Sequence, residues 1–217
     1  MIKLNTEHPI AYDSPDHIIP WGTMRDNSTN EGFIEEITNY FQSLEKVPFS
    51  FMDLGCSGGQ LVVDIHNRGN VAVGLEGSDY SVKHQRANWP EHHNKILFTC
   101  DVAKPYSLEV MGEGKLLFNM ITAWEVIEHI HPDELKMFFK NINDNLFDGG
   151  VFAGSISTKI EIIEGVKLHQ SVFSETEWYN KFDEILEGTD LKLYKYPFDN
   201  VVRGDHGSFH IILRKEA

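Results

Sequence analysis

Apolar residues fall in short runs along the second part of the chain, and these runs alternate with segments of helical periodicity. Strands are predicted at 50–54, 71–76, 96–99, 116–124 and 150–157, and helices at 58–67, 79–88 and 132–146. Such alternation is typical of parallel strands joined by crossover helices. The pattern therefore predicts an α/β fold with a mostly parallel sheet.

The end of the chain carries one more helix and two more strands. Ser174 and Glu177 have the spacing of a capping box, which predicts a helix over 174–186. Strands are predicted at 191–197 and 208–214, joined through a turn that contains Gly204, Asp205 and Gly207. These last two strands are expected to close the chain as a pair.

The first 30 residues differ from the rest. They are rich in Pro, Asp, Asn and Ser and show little periodicity, so residues 1–30 are predicted to be an irregular N-terminal arm. Apolar side chains between Phe33 and Leu44 then share one helical face. With 217 residues in all, residues 31–217 are predicted to form a single domain with a sizeable core.

The net charge and the lack of membrane or secretory segments limit the partners and the location that the sequence allows. Asp and Glu number 33 against 19 Lys and Arg, giving a formal net charge of −14. This charge repels a phosphate backbone, so a nucleic-acid partner is disfavoured. No apolar run approaches the roughly 20 residues of a membrane span, and the N-terminus lacks the basic and apolar segments of a secretory signal. We expect no membrane partner and a cytoplasmic location.

A glycine-rich turn follows the predicted strand at 50–54. Its sequence is Asp53-Leu54-Gly55-Cys56-Ser57-Gly58-Gly59, and glycines at such a turn let the backbone approach a ligand closely. Glu76 ends the next strand, 23 residues after Asp53. A carboxylate at that strand end can accept both hydroxyls of a ribose. The two features together predict a site for a nucleotide-type cofactor.

The order of elements and these motifs resemble the class I S-adenosylmethionine-dependent methyltransferases. Besides the glycine-rich turn and Glu76, the matching segments are Cys100-Asp101-Val102, Trp124-Glu125-Val126-Ile127-Glu128-His129 and Gly149-Gly150-Val151-Phe152. The resemblance implies a Rossmann-like seven-stranded sheet, mostly parallel, with a C-terminal antiparallel hairpin and helices on both faces. Two departures are Ser57, where the family usually has glycine, and Asn119, where aspartate commonly opens the fourth strand.

The resemblance implies S-adenosyl-L-methionine as the cofactor. The residues expected to bind it are Asp53, Gly55, Cys56, Gly59, Glu76, Asp101, Val102, Trp124 and Glu125. Among these, Glu76 is expected to bind the ribose and Asp101 the adenine amino group. Trp21 and Arg25 of the arm, together with His131, are expected to contact the substrate or to belong to a lid that covers the site.

His169 and His129 are the predicted catalytic residues. Both are expected on loops at the carboxyl edge of the sheet, which is where open α/β sheets bind ligands. Methyl transfer needs a nucleophile held in line, and an acceptor that must lose a proton gains from a base. The predicted function is therefore O- or N-methylation of a small-molecule or glycan acceptor.

Three alternatives remain open at this stage. Glu125, Glu128 and His129 have i, i+3, i+4 spacing, and with His169 they contain the donors of a divalent-metal site. This set is similar to that of metal-assisted 2′-O-methyltransferases of RNA. Because the same segment also occurs in metal-free relatives, and because the net charge disfavours RNA, the prediction is a site without metal. The others are a dinucleotide-dependent oxidoreductase and a non-catalytic module that binds the cofactor and regulates a partner.

Overall fold

The structure is a computed structural model that describes residues 1–204 and 207–216. Its strands are β1 Ile2–Thr6, β2 Ser50–Leu54, β3 Val71–Glu76, β4 Leu97–Thr99, β5 Tyr106–Val110, β6 Gly114–Lys115, β7 Phe118–Trp124, β8 Leu146–Ser157, β9 Ile162–Ile163, β10 Val166–Lys167, β11 Leu191–Tyr194 and β12 Ser208–Lys215. Its helices are α1 Pro15–Ile18, α2 Trp21–Arg25, α3 Glu31–Ser43, α4 Gln60–Asn67, α5 Tyr80–Lys83, α6 Trp89–His92, α7 Leu135–Asn145 and α8 Glu175–Ile185. Short 3-10 turns cover Ile127–His129 and Pro132–Glu134.

A seven-stranded sheet with the order β11-β12-β8-β7-β2-β3-β4 forms the centre of the molecule. The strands from β8 to β4 pair in parallel, whereas β12 pairs antiparallel with both β8 and β11. This arrangement confirms the predicted α/β sheet and its C-terminal antiparallel hairpin. Asp205, predicted in the turn before β12, lies outside the described residues.

Two apolar cores cover the two faces of the sheet. One joins the sheet to α7 and α8 through side chains such as Phe139 and Trp178. The other joins it to α3 and α4 through side chains such as Phe33 and Leu61. Helices therefore lie on both faces, as the resemblance implies. Among residues 1–204 and 207–216, no helix combines the length and apolar character needed to cross a membrane.

The N-terminal arm is more ordered than the irregular segment that the sequence predicts. β1 pairs antiparallel with β5, and β5 pairs with β6, in a separate three-stranded sheet. Helix α1 begins after Ser14, whose hydroxyl accepts from the Asp16 amide, and Pro15 stands at its first position. The prediction was wrong here because elements of four or five residues show no period, and β1 finds its partner about 100 positions away.

The segment predicted as one helix over 79–88 is two helical turns, α5 and α6. Gln85 and Ala87 between them have φ values of 48° and 49°, which end α5 and turn the chain. The strand predicted at 191–197 ends at Tyr194, and the helix predicted at 132–146 starts with a 3-10 turn and gives way to β8 at Leu146. Apolar periodicity alone does not report these breaks, because it is continuous across them.

The sheet register explains why the site forms where it does. Leu54 of β2 is level with Leu75 of β3 on one side and with Ala123 of β7 on the other. The next residues, Gly55, Glu76 and Trp124, therefore leave three adjacent strands at the same carboxyl edge. Parallel strands in an open sheet bind their ligands at that edge.

Candidate functional site

A cavity of about 770 Å³ opens at the carboxyl edge of β2, β3 and β7. Cavities of about 300–1,000 Å³ are the usual size for small-molecule and cofactor sites. Residues from the arm, the glycine-rich turn and the loops after β7 and β8 line it. Of the residues predicted to act here, those that line it are Trp21, Arg25, Gly55, Glu76, Asp101, Val102, Trp124, Glu125, His129, His131 and His169.

Three of the predicted cofactor residues do not line the cavity. The Asp53 carboxylate accepts a 2.7 Å hydrogen bond from Thr122 Oγ1 inside the sheet, and burial raises the pKa of Asp53 to about 7 although that bond lowers it. Cys56 and Gly59 are buried against Gly74 and Leu97 respectively, in the layer beneath the turn. The side chains of Asp53 and Cys56 point into the core, and Gly59 contributes only backbone to the turn.

The backbone conformation of the glycine-rich turn explains why glycine stands at position 55 and what serine does at position 57. Gly55 has a φ of 70°, and a Cβ there would lie 2.5 Å from Val126 Cγ2. Ser57 has a φ of 49°, which a non-glycine residue adopts only at a cost of roughly 1–2 kcal/mol. Its hydroxyl compensates by donating a 2.7 Å hydrogen bond to the carbonyl of Asp26. The serine that departs from the usual glycine thus ties the turn to the arm.

Glu76 lies buried at the end of β3 with its carboxylate at the cavity wall. Oε2 accepts from the Ser57 amide at 2.8 Å, while Oε1 accepts from the Ser78 amide at 3.1 Å and from Thr23 Oγ1 at 3.2 Å. Burial raises the pKa of Glu76, and these three hydrogen bonds act against that rise. Three donors use three of about four acceptor directions on a carboxylate, so capacity for one more hydroxyl remains.

The arm segment 21–27 lies directly over the glycine-rich turn. Arg86 Nε donates a 3.1 Å hydrogen bond to the carbonyl of Met24, and its Nη2 donates to the carbonyl of Asp26. Asn27 Oδ1 accepts from the Gln60 amide at the start of α4. At the cavity wall the Arg25 guanidinium stacks 3.2 Å from the centre of the Trp21 ring. The arm is therefore part of the site wall, a role that fits the predicted lid.

Ser57→Gly is expected to loosen the arm with little effect on the melting temperature. The variant loses one hydrogen bond, worth about 1 kcal/mol, and gains about as much by relieving the positive φ. We expect amide hydrogen exchange over residues 21–27 to accelerate about fivefold, the ratio that about 1 kcal/mol corresponds to. Ser57→Ala is the control, because it loses the hydroxyl and keeps the strain, and it should also lower the melting temperature. Unchanged hydrogen exchange in both variants would contradict the conclusion that the Ser57 hydroxyl holds the arm to the turn.

His129 and His169 are in contact at the cavity wall, in a part of the wall away from Glu76. Their rings contact edge to face, with centroids 4.6 Å apart. His129 Nδ1 lies 2.7 Å from Asp16 Oδ2, and His169 Nδ1 lies 2.6 Å from the carbonyl oxygen of Lys159. Neither Asp16 nor Lys159 carries a sequence motif, so these partners were not predicted. The structure thus brings together the two histidines predicted to be catalytic.

Burial and charge change the pKa values of these groups in opposite directions. Burial lowers the pKa of His129, but its pair with Asp16 and the nearby Glu128 and Glu161 outweigh burial and raise the pKa to about 9. Burial and then the charge of His129 lower the pKa of His169. Burial raises the pKa of Glu128 to about 8, although His129 acts against it. The three groups form one electrostatically coupled cluster.

Glu125 acts on Glu128 and His169 through its charge, but its carboxylate is not in the group of ligand atoms formed by Glu128, His129 and His169. It has a φ of 56° and precedes the 3-10 turn Ile127–His129, so the helical spacing predicted for Glu125, Glu128 and His129 does not continue back to it. Its Oε1 is buried and has no hydrogen-bond partner among the residues that the structure describes. The same is true of Trp124 Nε1. Buried unpartnered polar atoms at a cavity wall are expected where a ligand completes the hydrogen bonding.

Two further predicted residues have structural partners as well as cavity positions. Asp101 Oδ1 accepts from the Ala103 amide at 3.0 Å, and burial raises the pKa of Asp101. His131 Nδ1 accepts from the Asp133 amide at 3.3 Å, which caps the turn Pro132–Glu134. Cavity-lining residues that the sequence analysis did not select include Asp16, Thr23, Ser57, Ser157, Lys159, Glu161 and Arg203.

Comparison with known proteins gives one family and many structures. A family model described as a methyltransferase domain matches residues 27–191. No curated protein matches the chain. An S-adenosylmethionine-dependent methyltransferase from Clostridium acetobutylicum is similar in structure, with 13% identity, a TM-score of 0.60, and coverage of 95% of this chain and 96% of its own. Magnesium protoporphyrin IX methyltransferase from Synechocystis, solved with bound S-adenosylhomocysteine, has 13% identity, a TM-score of 0.57 and coverage of 94% and 97%.

A third similar structure is the glycopeptide N-methyltransferase MtfA, with 12% identity and a TM-score of 0.52. The aligned region covers 83% of this chain and 89% of the MtfA chain. At such identities the likeness concerns the fold. The seven-stranded sheet with its antiparallel end is thus shared with solved methyltransferases.

Proposed function

The chain belongs to the methyltransferase-domain family, as its motifs predict, and on this premise we propose that it transfers a methyl group from S-adenosyl-L-methionine to a polar small-molecule or sugar acceptor. The observation that carries the proposal is a single cavity with Glu76 on one part of its wall and His129 and His169 on another. A carboxylate of the kind that binds a ribose and two imidazoles of the kind that act on an acceptor thus border the same space, which supports the proposal.

The residues at the first part of the wall fit the cofactor. Glu76 retains acceptor capacity for a hydroxyl, and Trp124 Nε1 and Glu125 Oε1 are a buried donor and acceptor that lack partners among the described residues. Asp101 and Val102 border the same space from the loop after β4. When bound, S-adenosyl-L-methionine supplies an electrophilic methyl group on a sulfonium. The protein is proposed to contribute a shaped site that holds both reactants in line.

The second part of the wall favours a polar acceptor. Ser157, Lys159, Glu161, His169 and Arg203 mix both signs of charge with hydrogen-bonding groups. Such a surface suits a hydroxyl- or amine-bearing molecule, since each of these groups can pair with it. His129 and His169 are proposed to contact the acceptor at the reacting atom. Because the Nδ1 atom of each histidine faces an acceptor oxygen, Nε2 is the nitrogen left for this contact.

RNA and regulation are weaker candidates. The formal charge of −14 opposes a phosphate backbone, so the RNA alternative is disfavoured. A regulatory module would need Glu76 and its neighbours but would have no use for the clustered histidines.

The test has two steps. Calorimetry with S-adenosylhomocysteine and, separately, with NAD should give binding of the first alone. Metabolite and glycan extracts are then incubated with S-adenosyl-L-methionine that carries a labelled methyl group, and labelled products are identified. Binding without a labelled product in any extract would favour the regulatory module, and binding of NAD alone would favour the oxidoreductase.

A further inference from the structure

We propose that Glu128, His129 and His169 bind one divalent transition-metal ion where the two histidines line the cavity, with the buried Glu128 behind them. A carboxylate oxygen of Glu128 and one ring nitrogen of each histidine all lie within 4.8 Å of one another. Ligand atoms that share a tetrahedral ion are about 3.4 Å apart, so movements of less than about 1 Å for each atom would close the set around a metal. The proposal rests on the proposed function for its role in turnover, but the binding itself does not.

The backbone holds these three residues together before any ion binds. The amides of Gln170 and Ser171 both donate to the carbonyl of Glu128, at 2.7 and 2.9 Å. Ser171 Oγ donates to the carbonyl of Ile130 at 2.7 Å. The loop that carries His169 is therefore fastened on both sides of His129. Such preorganisation is what a metal site requires of its ligands.

The outer partners of both imidazoles match those of metal-bound histidines. Metal-ligating histidines usually direct their other ring nitrogen to a carboxylate or a backbone carbonyl. Here His129 Nδ1 faces the Asp16 carboxylate at 2.7 Å, and His169 Nδ1 faces the Lys159 carbonyl at 2.6 Å. Nε2 of each ring is then the nitrogen available for an ion, and the two histidines would reach the acceptor through that ion. His169 Nε2 also lies 3.4 Å from Glu161 Oε2, which borders the same position.

The Glu128 carboxylate is the second, independent sign of a ligand. The residue is fully buried, and Oε1 accepts a 3.1 Å hydrogen bond from the Ser157 amide. Oε2 is buried without a hydrogen-bond partner within the described part of the chain. An unpartnered buried carboxylate oxygen is costly, and a cation bound between it and the imidazoles would satisfy it. Asp16 and Glu161 add further negative charge around the position.

The donor set indicates the kind of ion. Imidazole nitrogens suit first-row ions such as Fe²⁺, Ni²⁺ and Zn²⁺, and the carboxylate also suits Mn²⁺, whereas Mg²⁺ and Ca²⁺ prefer oxygen ligands. Three protein ligands leave positions for an exogenous group, which is the form that catalytic metal sites take. A bound ion of this kind lowers the pKa of a hydroxyl attached to it. The ion would thus prepare a hydroxyl acceptor for methylation.

Titration of the metal-free protein with Mn²⁺, followed by electron paramagnetic resonance, tests the proposal. We expect one Mn²⁺ per chain, displaced by Zn²⁺, which binds nitrogen and oxygen sites more tightly than Mn²⁺ does. Asp16→Asn should weaken Mn²⁺ binding by about 10- to 100-fold, because it removes the outer partner of His129. His169→Ala should weaken it at least as much. His66→Ala, at an exposed histidine at the end of α4, should leave it unchanged.

Each outcome decides the matter. Wild-type protein that takes up neither Mn²⁺ nor Zn²⁺ stoichiometrically, or a His169→Ala variant that binds Mn²⁺ as tightly as wild type, would overturn the site. Melting temperatures of all variants are measured, so that a misfolded variant is recognised. If His169→Ala does not fold, the Mn²⁺ affinity of Asp16→Asn decides the test. Calorimetry with S-adenosylhomocysteine is run in parallel. Mn²⁺ binding without S-adenosylhomocysteine binding would support the metal site and contradict the proposed function.

Discussion

His169→Ala is expected to lower methyl-transfer turnover by about 10²-fold or more, the loss typical of removing a group that acts on a transferred proton. The side chain is buried, lines the cavity and has Nδ1 fixed by the Lys159 carbonyl, which leaves Nε2 for the acceptor or for an ion that holds it. The affinity for S-adenosylhomocysteine should be unchanged, because Glu76 and the glycine-rich turn are intact. Single-turnover kinetics and calorimetry measure the two quantities.

A matched control separates this effect from general damage. His66→Ala removes an imidazole of the same size from an exposed position outside the cavity, so its turnover should equal that of wild type. A His169→Ala variant with full turnover would return the residue to a packing role beside Lys159. Loss of cofactor affinity in the same variant would instead indicate that the loop supports the cofactor part of the wall.

The position of Gly55 and Glu76 at the cavity could be predicted because its determinants are local. Gly55 follows directly on a buried strand, and Glu76 ends the next strand, so the register of two parallel strands places both at one edge. A short sequence motif reports such a position well. What the motif does not report is the direction of each side chain, and Asp53 turns into the sheet toward Thr122 although it belongs to the motif.

The arm and the histidine cluster depend on contacts between distant parts of the chain. Thr23 reaches Glu76 across 53 positions, and the Asp16 carboxylate meets His129 from a helix of only four residues. Neither contact leaves a periodic or compositional trace, since each depends on one polar side chain in an otherwise ordinary segment. Sequence patterns therefore predicted which residues reach the cavity better than what holds them there.

Glu76→Ala is expected to weaken S-adenosylhomocysteine binding by about 1–3 kcal/mol, or about 5- to 150-fold, because a ribose hydroxyl loses its charged acceptor. The structure adds a second effect. The amides of Ser57 and Ser78 both donate to this carboxylate, and its removal leaves them unpartnered in a buried environment. Unfolding should therefore occur several degrees lower, since 1 kcal/mol corresponds to about 2–4 °C in a chain of this size.

Thr23→Val is the control that separates the two effects of Glu76. It removes the arm's hydroxyl donor to Oε1 and leaves both amide donors and the carboxylate in place. Because this frees an acceptor direction on Glu76, affinity for S-adenosylhomocysteine should be equal to or higher than that of wild type. Calorimetry and thermal melts on the three proteins give the comparison. Wild-type affinity in Glu76→Ala would remove Glu76 from the cofactor site, whereas a loss in Thr23→Val as large as in Glu76→Ala would assign the binding energy to the arm.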